Sequence, residues 1–229
     1  MSSESLGGAR ELVAGVRDLV KPRMRGYLHQ YAFLSCLVTG VVLVSLAPDA
    51  RARIGAVIYA VCLAGLFGIS AAYHRRDWGE RAHRVMARLD HSMIFVFIAG
   101  TYTPFALLVL HGATAVVVLA VVWTGAMLGV LTQVLWLHAP RYAVLPLYLV
   151  LGWTAVFIIP QLLHAGVASF VLLCVGGAAY TVGGIVYAMR RPDPAPKVFG
   201  YHEVFHAMTC VAALCHYIAI SFAVYAIAN

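Results

Sequence analysis

Seven apolar stretches, each close to the length of a bilayer-crossing helix, dominate this sequence: roughly 30 to 47, 54 to 74, 90 to 110, 113 to 136, 142 to 163, 167 to 189 and 203 to 227. A helical span needs about 20 mostly apolar residues. Seven of them consume most of a 229-residue chain and leave only short connections. The expected fold is therefore all-α, a seven-transmembrane helical bundle forming one domain over residues 1–229, with a cytoplasmic N-terminal segment at 1–28. Composition agrees, because 62% hydrophobic and 11% charged residues with a mean hydropathy of +0.87 provide too little polar surface for a soluble globule. The expected location is the cell membrane, multi-pass, in a bacterial inner or plasma membrane.

The net charge of +7 invites comparison with nucleic-acid-binding proteins, but its distribution points to membrane orientation instead. If seven spans are right, alternate connections must collect the Lys and Arg residues. The N-terminal segment and the links after spans two, four and six hold every Lys and Arg except Arg51 and Arg53. The N-terminus is thus expected inside and the C-terminus outside. The partners expected are membrane lipids, and no nucleic acid.

The first 28 residues contain no long apolar stretch and no small-residue cleavage site, so no signal peptide is expected. Leu12, Val13, Val16, Leu19 and Val20 recur at helical spacing opposite Arg10, Glu11, Arg17 and Asp18, which suits a short helix on the membrane surface. The link at about 75 to 89 carries Arg75, Arg76, Arg81, Arg84 and Arg88, and the link at about 190 to 201 carries Arg190, Arg191 and Lys197 among prolines. Pro104, Pro146 and Pro160 are expected to kink their helices, and Gly176, Gly177, Gly183 and Gly184 to mark close helix packing. The five cysteines lie in apolar runs without metal-knuckle spacing, so disulfides are not expected.

Ionisable residues at membrane depth are costly and are the first candidates for function. His74 ends span two, Asp90 opens span three, and His202, Glu203 and His206 open span seven. Span two runs toward the inner face while spans three and seven run away from it, so these residues share one depth. His202 and His206 are four positions apart, which sets both imidazoles on one helical face, the spacing used for two ligands to one metal. A third imidazole from His74 would complete a zinc site with an open fourth position for water. Asp90 is the candidate to hold that water or take its proton, and Ser70 stands one turn above His74. A single histidine at a helix end is more commonly an interfacial residue than a ligand, and His29, His83, His91, His111, His138, His164 and His216, with no comparable partner set, are read that way.

The pattern SAAYH from Ser70 to His74, the run LDHSMIFVFIAGTYTPF from Leu89, HEVFH at 202–206 and ALCHY at 213–217 resembles the bacterial hemolysin III proteins. These belong with the progestin and adipoQ receptor family, which includes the adiponectin receptors. The resemblance runs from about Tyr27 to the C-terminus and covers motif order and seven-span plan. It implies a Zn²⁺ ion near the cytoplasmic face held by His74, His202 and His206, with Asp90 and Ser70 beside the water that completes its set. The wider superfamily, with its alkaline ceramidases, implies hydrolysis of a lipid amide or a related bond.

The leading expectation is a zinc-dependent hydrolase of lipid amide or ester bonds, or a lipid-state sensor that retains its site. A non-catalytic receptor or membrane-homeostasis factor with structural zinc is the alternative. Two further readings stand beside these. A cytolysin or pore, suggested by the hemolysin name, would need polar residues along several spans, whereas here they gather at one end. An intramembrane metalloprotease is suggested because HEVFH satisfies HExxH, with Glu203 as its base. In the family that this chain resembles, Gln also occurs at the position of Glu203.

Overall fold

The computed structural model describes residues 21–136, 140–164 and 166–225. The surface helix expected around Leu12 to Val20 lies outside them, as does His138. Among the described residues there is no strand, and the elements in order are α1 (Tyr27–Ser45), α2 (Ala50–Arg75), α3 (Glu80–Leu108), α4 (Gly112–Leu135), α5 (Arg141–Gly152), a 3-10 turn (Trp153–Ile158), α6 (Ile159–His164), α7 (Val167–Met189) and α8 (Tyr201–Tyr225). Seven crossings are long and apolar enough to span a membrane, the fifth (Tyr142–Leu163) being the run from α5 to α6. The protein is a multi-pass, seven-helix membrane protein. Large apolar side chains face outward all round the bundle, Phe157 at 85% exposure and Leu135 at 81% among them, which lipid accommodates and water would not.

The helix ends follow local chemistry. Asp49 caps α2, its side chain accepting from the Ala52 N–H at 2.8 Å. At α8 the Glu203 carboxylate reaches back to the Gly200 N–H at 2.9 Å, and Asp193 Oδ1 accepts from the Tyr201 N–H at 3.0 Å. That is the return half of a capping box, supplied from the third residue of the helix.

The link expected at 75 to 89 is mostly helix. Only 76–79 lie outside α2 and α3, because Gly79 caps α3 and Glu80, acidic in the first turn, suits the positive end of the helix dipole. Asp90 consequently sits ten residues into α3, about 15 Å from its start at 1.5 Å per residue, and Arg81, Arg84 and Arg88 lie on the turns ahead of it.

The prolines behave unequally. Pro104 and Pro146 are carried inside α3 and α5, while the fifth crossing tightens into the 3-10 turn just ahead of Pro160. Backbone groups loosened there cannot turn to water in a membrane. Tyr102 of α3 meets them instead: its hydroxyl donates to the Gly152 carbonyl at 2.6 Å and accepts from the Ala155 N–H at 2.7 Å. Of the four glycines in α7, a side chain at Gly176, Gly183 or Gly184 would run into His216, Met208 or Leu145, as close packing requires, whereas Gly177 faces open space.

Helix α8 is the centre of the bundle, packing on α1, α2, α3 and α7. The chain's alternation brings the start of α1, the end of α2 and the start of α8 to one end of the molecule, with all the described basic residues except Arg51 and Arg53.

Candidate metal centre

At that end three imidazoles converge. His74 comes from the last turn of α2, and His202 and His206 from the first two turns of α8. Ring centroids lie 4.7 Å apart for His74 and His202, 5.1 Å for His74 and His206, and 4.6 Å for His202 and His206. One nitrogen from each ring falls within 4.8 Å of the other two. Zinc with nitrogen ligands at about 2.0–2.1 Å holds them roughly 3.3 Å apart, so side-chain adjustments of about an ångström close the set. His74 Nε2 and His206 Nδ1 are buried and have no hydrogen-bond partner among the described residues. Two orphaned imidazole nitrogens at membrane depth are costly as they stand, and a metal ion is the partner that this donor set fits.

Asp90 and Ser70 border the triad. Asp90 Oδ2 is 3.7 Å from His74 Nε2, and Ser70 lines the same end of the cavity as Asp90. The five residues singled out in the sequence are therefore brought together: Ser70, His74 and His206 buried, His202 and Asp90 partly so.

Two residues of the site were not anticipated. His29, from the first turn of α1, is buried, bonds through Nδ1 to Ser70 Oγ at 2.8 Å, and lies flat on His206 with centroids 3.7 Å apart and planes within 13°. Reading it as a residue without partners is thus corrected. Its depth, at the opening of the first span, matched that of His74 by the same alternation rule, and that was the available signal. Arg25 is the other. Its Nε donates to Glu203 Oε1, while Glu203 Oε2 takes the Gly200 N–H. Both oxygens of the HExxH glutamate are occupied in holding the start of α8.

The segment bearing Arg25 is strapped across this end. The Arg23 and Met24 N–H groups donate to the Lys197 and Val198 carbonyls at 3.1 and 3.0 Å. Gly26, with φ +82°, then turns the chain into α1, and a side chain there would meet His74 Cβ at 2.8 Å. Only glycine satisfies both the left-handed backbone and the close approach.

Behind the triad a cavity of about 300 Å³ runs into the bundle. Ser70, Asp90, His202 and His206 line one end and His216 the other, ten residues along α8 and thus about 15 Å away. Its wall is mostly apolar, with Leu66, Ile94 and Phe97 among its members, and Thr101, Gln133 and Thr209 interrupt it. Trp153 and Val156 of the 3-10 turn, 46% and 47% exposed, also line it.

A seven-helix bundle closed around a buried histidine triad defines a polytopic membrane protein with an internal site fit to hold a metal ion. The sequence profile of the Haemolysin-III related family matches residues 17–217, and the chain belongs to that family. It is 29% identical to Hemolysin-3 of Bacillus cereus over 159 residues, 69% of this chain and 72% of that one. A Hemolysin-3 homolog of Bacillus subtilis is 33% identical over 131 residues, covering 56% and 58%. The human monocyte to macrophage differentiation factor, of the progestin and adipoQ receptor family, is 26% identical over 200 residues, 85% of this chain and 80% of its own length.

Proposed function

We propose that this protein is a membrane-embedded, zinc-dependent hydrolase of lipid amide or ester bonds, with its site at the cytoplasmic face of a bacterial plasma membrane. The observation that carries this reading is the continuity of the cavity, in which a polar end made by His202, His206, Asp90 and Ser70 passes directly into an apolar channel. That is the shape of a lipid with a polar linkage and a long chain. His74, His202 and His206 would hold the ion, which supplies Lewis acidity at the scissile carbonyl and a water of lowered pKa. The chain's own residues do the rest. Asp90 is placed to accept a proton at Oδ2, Ser70 beside it is placed to orient the water or the oxyanion, and the apolar walls exclude bulk water and hold the chain. Entry at the 3-10 turn would let a substrate arrive from the bilayer.

A second reading keeps the metal and drops turnover: a receptor or membrane-homeostasis factor in which zinc pins α2 to α8. The convergence of α1, α2, α3 and α8 on one cluster favours it, since an ion there would brace the bundle. The protease reading loses support from the engagement of Glu203 with Arg25 and Gly200. A cytolytic pore finds little in a cavity whose wall is mostly apolar.

Turnover decides between the first two. Zinc-loaded protein in detergent or nanodiscs is offered a panel of ceramides and other lipid amides and esters, with Asp90→Asn in parallel. Release of fatty acid by the wild type and not by the variant supports the hydrolase. No release from any member supports the structural-zinc reading.

A further inference from the structure

His29 stands apart from the three residues with ligand geometry, yet it is as buried as they are and is committed to two of the site's members at once. Its ring is parallel to that of His206, and its Nδ1 is bonded to Ser70 Oγ. We infer that His29 is a positioning residue of the centre, setting the ring plane of one ligand by stacking and the direction of the Ser70 hydroxyl by its hydrogen bond. This inference rests on the metal-site reading of the triad.

The second half rests on the bond to Ser70: the 2.8 Å contact joins His29 Nδ1 to Ser70 Oγ, and Ser70 lines the polar end of the cavity together with Asp90. Asp90 Oδ2 lies 3.7 Å from His74 Nε2, so the hydroxyl that His29 holds stands at the end where the ligands converge. Groups that orient a metal site from behind its ligands typically cost 10–100-fold in metal affinity or activity when removed.

The two roles can be separated by shape. His29→Phe keeps a flat ring on His206 and loses the hydrogen bond to Ser70. His29→Asn keeps a hydrogen-bonding amide near the position of Nδ1 and loses the ring. Each variant is loaded with cobalt in place of zinc, and its visible absorption, its metal affinity by chelator competition and its turnover are compared with wild type. His29→Phe should keep the wild-type cobalt spectrum and affinity, and should lower kcat as Ser70→Ala does without a further loss when the two are combined. His29→Asn should shift the spectrum and weaken affinity by about 10–100-fold. The reverse assignment, or wild-type behaviour in both variants, overturns the inference.

Thermal unfolding of His29→Phe, Ser70→Ala and the double variant provides an arm that needs neither metal nor substrate. A hydrogen bond makes the two effects non-additive, and additivity overturns the hydrogen-bonding role. A wild type without turnover would sink the hydrolase and leave the spectra and this cycle to judge His29. Should one substitution fail to fold, the other still decides its own half.

Discussion

Arg25 and Glu203 are joined by a hydrogen-bonded ion pair across 178 residues of sequence, tying the strap ahead of the first span to the first turn of the last. Glu203 is fully buried, and its second oxygen is taken by the Gly200 N–H. Removing one partner of such a pair leaves a buried charge uncompensated and typically costs about 3–5 kcal/mol. Arg25→Met should therefore lower the thermal midpoint clearly. Glu203→Gln has one acceptor oxygen for the two N–H groups and can keep only one of the bonds, so it should also lower the midpoint while keeping its metal and any turnover. Abolition of turnover by Glu203→Gln in a folded, metal-loaded protein would revive the protease reading.

Metal content is the most direct check of the triad. Purified protein should carry about one zinc per chain, and His202→Ala or His206→Ala should empty the site. Because the ion binds the folded chain only, chelation should also lower the thermal midpoint, and to the same level as the alanine variants. Full zinc occupancy after both histidines are replaced would exclude the assignment, by elemental analysis alone.

Asp90→Asn separates chemistry from metal retention. The three imidazoles remain, so zinc should stay, but an amide cannot accept the proton, and any hydrolysis should fall by about 10²–10⁴-fold. Ser70→Ala should cause a smaller drop, also with zinc retained. Loss of zinc from Asp90→Asn, seen by the same elemental analysis, would recast Asp90 as a ligand.

Gly177 offers a test of the cavity. It lines the channel, and a Cβ placed there meets nothing within 4 Å. Gly177→Leu should fold normally and hold its zinc while obstructing the channel. Turnover or binding of long-chain lipids should fall, with short-chain analogues spared. Equal loss for both chain lengths would mean that the chain does not lie there.

Orientation is tested by labelling. In a background without the native cysteines, Asp77→Cys, in the short link between α2 and α3, should react only from the cytoplasmic side. His111→Cys, between α3 and α4, should react only from outside. The opposite pattern would invert the molecule and place the site at the outer face.

The seven crossings were legible in the sequence because each is a local property: enough consecutive apolar residues to span a bilayer, whatever lies beside them. The pairing of His202 with His206 was legible for a similar reason, since four residues return a helix to the same face. Alternation of the spans then brought His74, Asp90 and Ser70 to the same depth without any knowledge of packing. What depth could not supply was azimuth, the direction in which each helix turns its side chains. His29 shares that depth, but only the packing of α1 on α2 and α8 turns its ring onto His206 and toward Ser70, 41 residues away. Glu203 shows the same divide in the other direction, because HExxH spacing allows it to serve as a base until Arg25, brought in from the far end of the chain, is seen to hold it. Helical periodicity acts over a few residues and can be read along the chain; helix rotation is set by side chains packing across long sequence separations, and only the tertiary structure decides it.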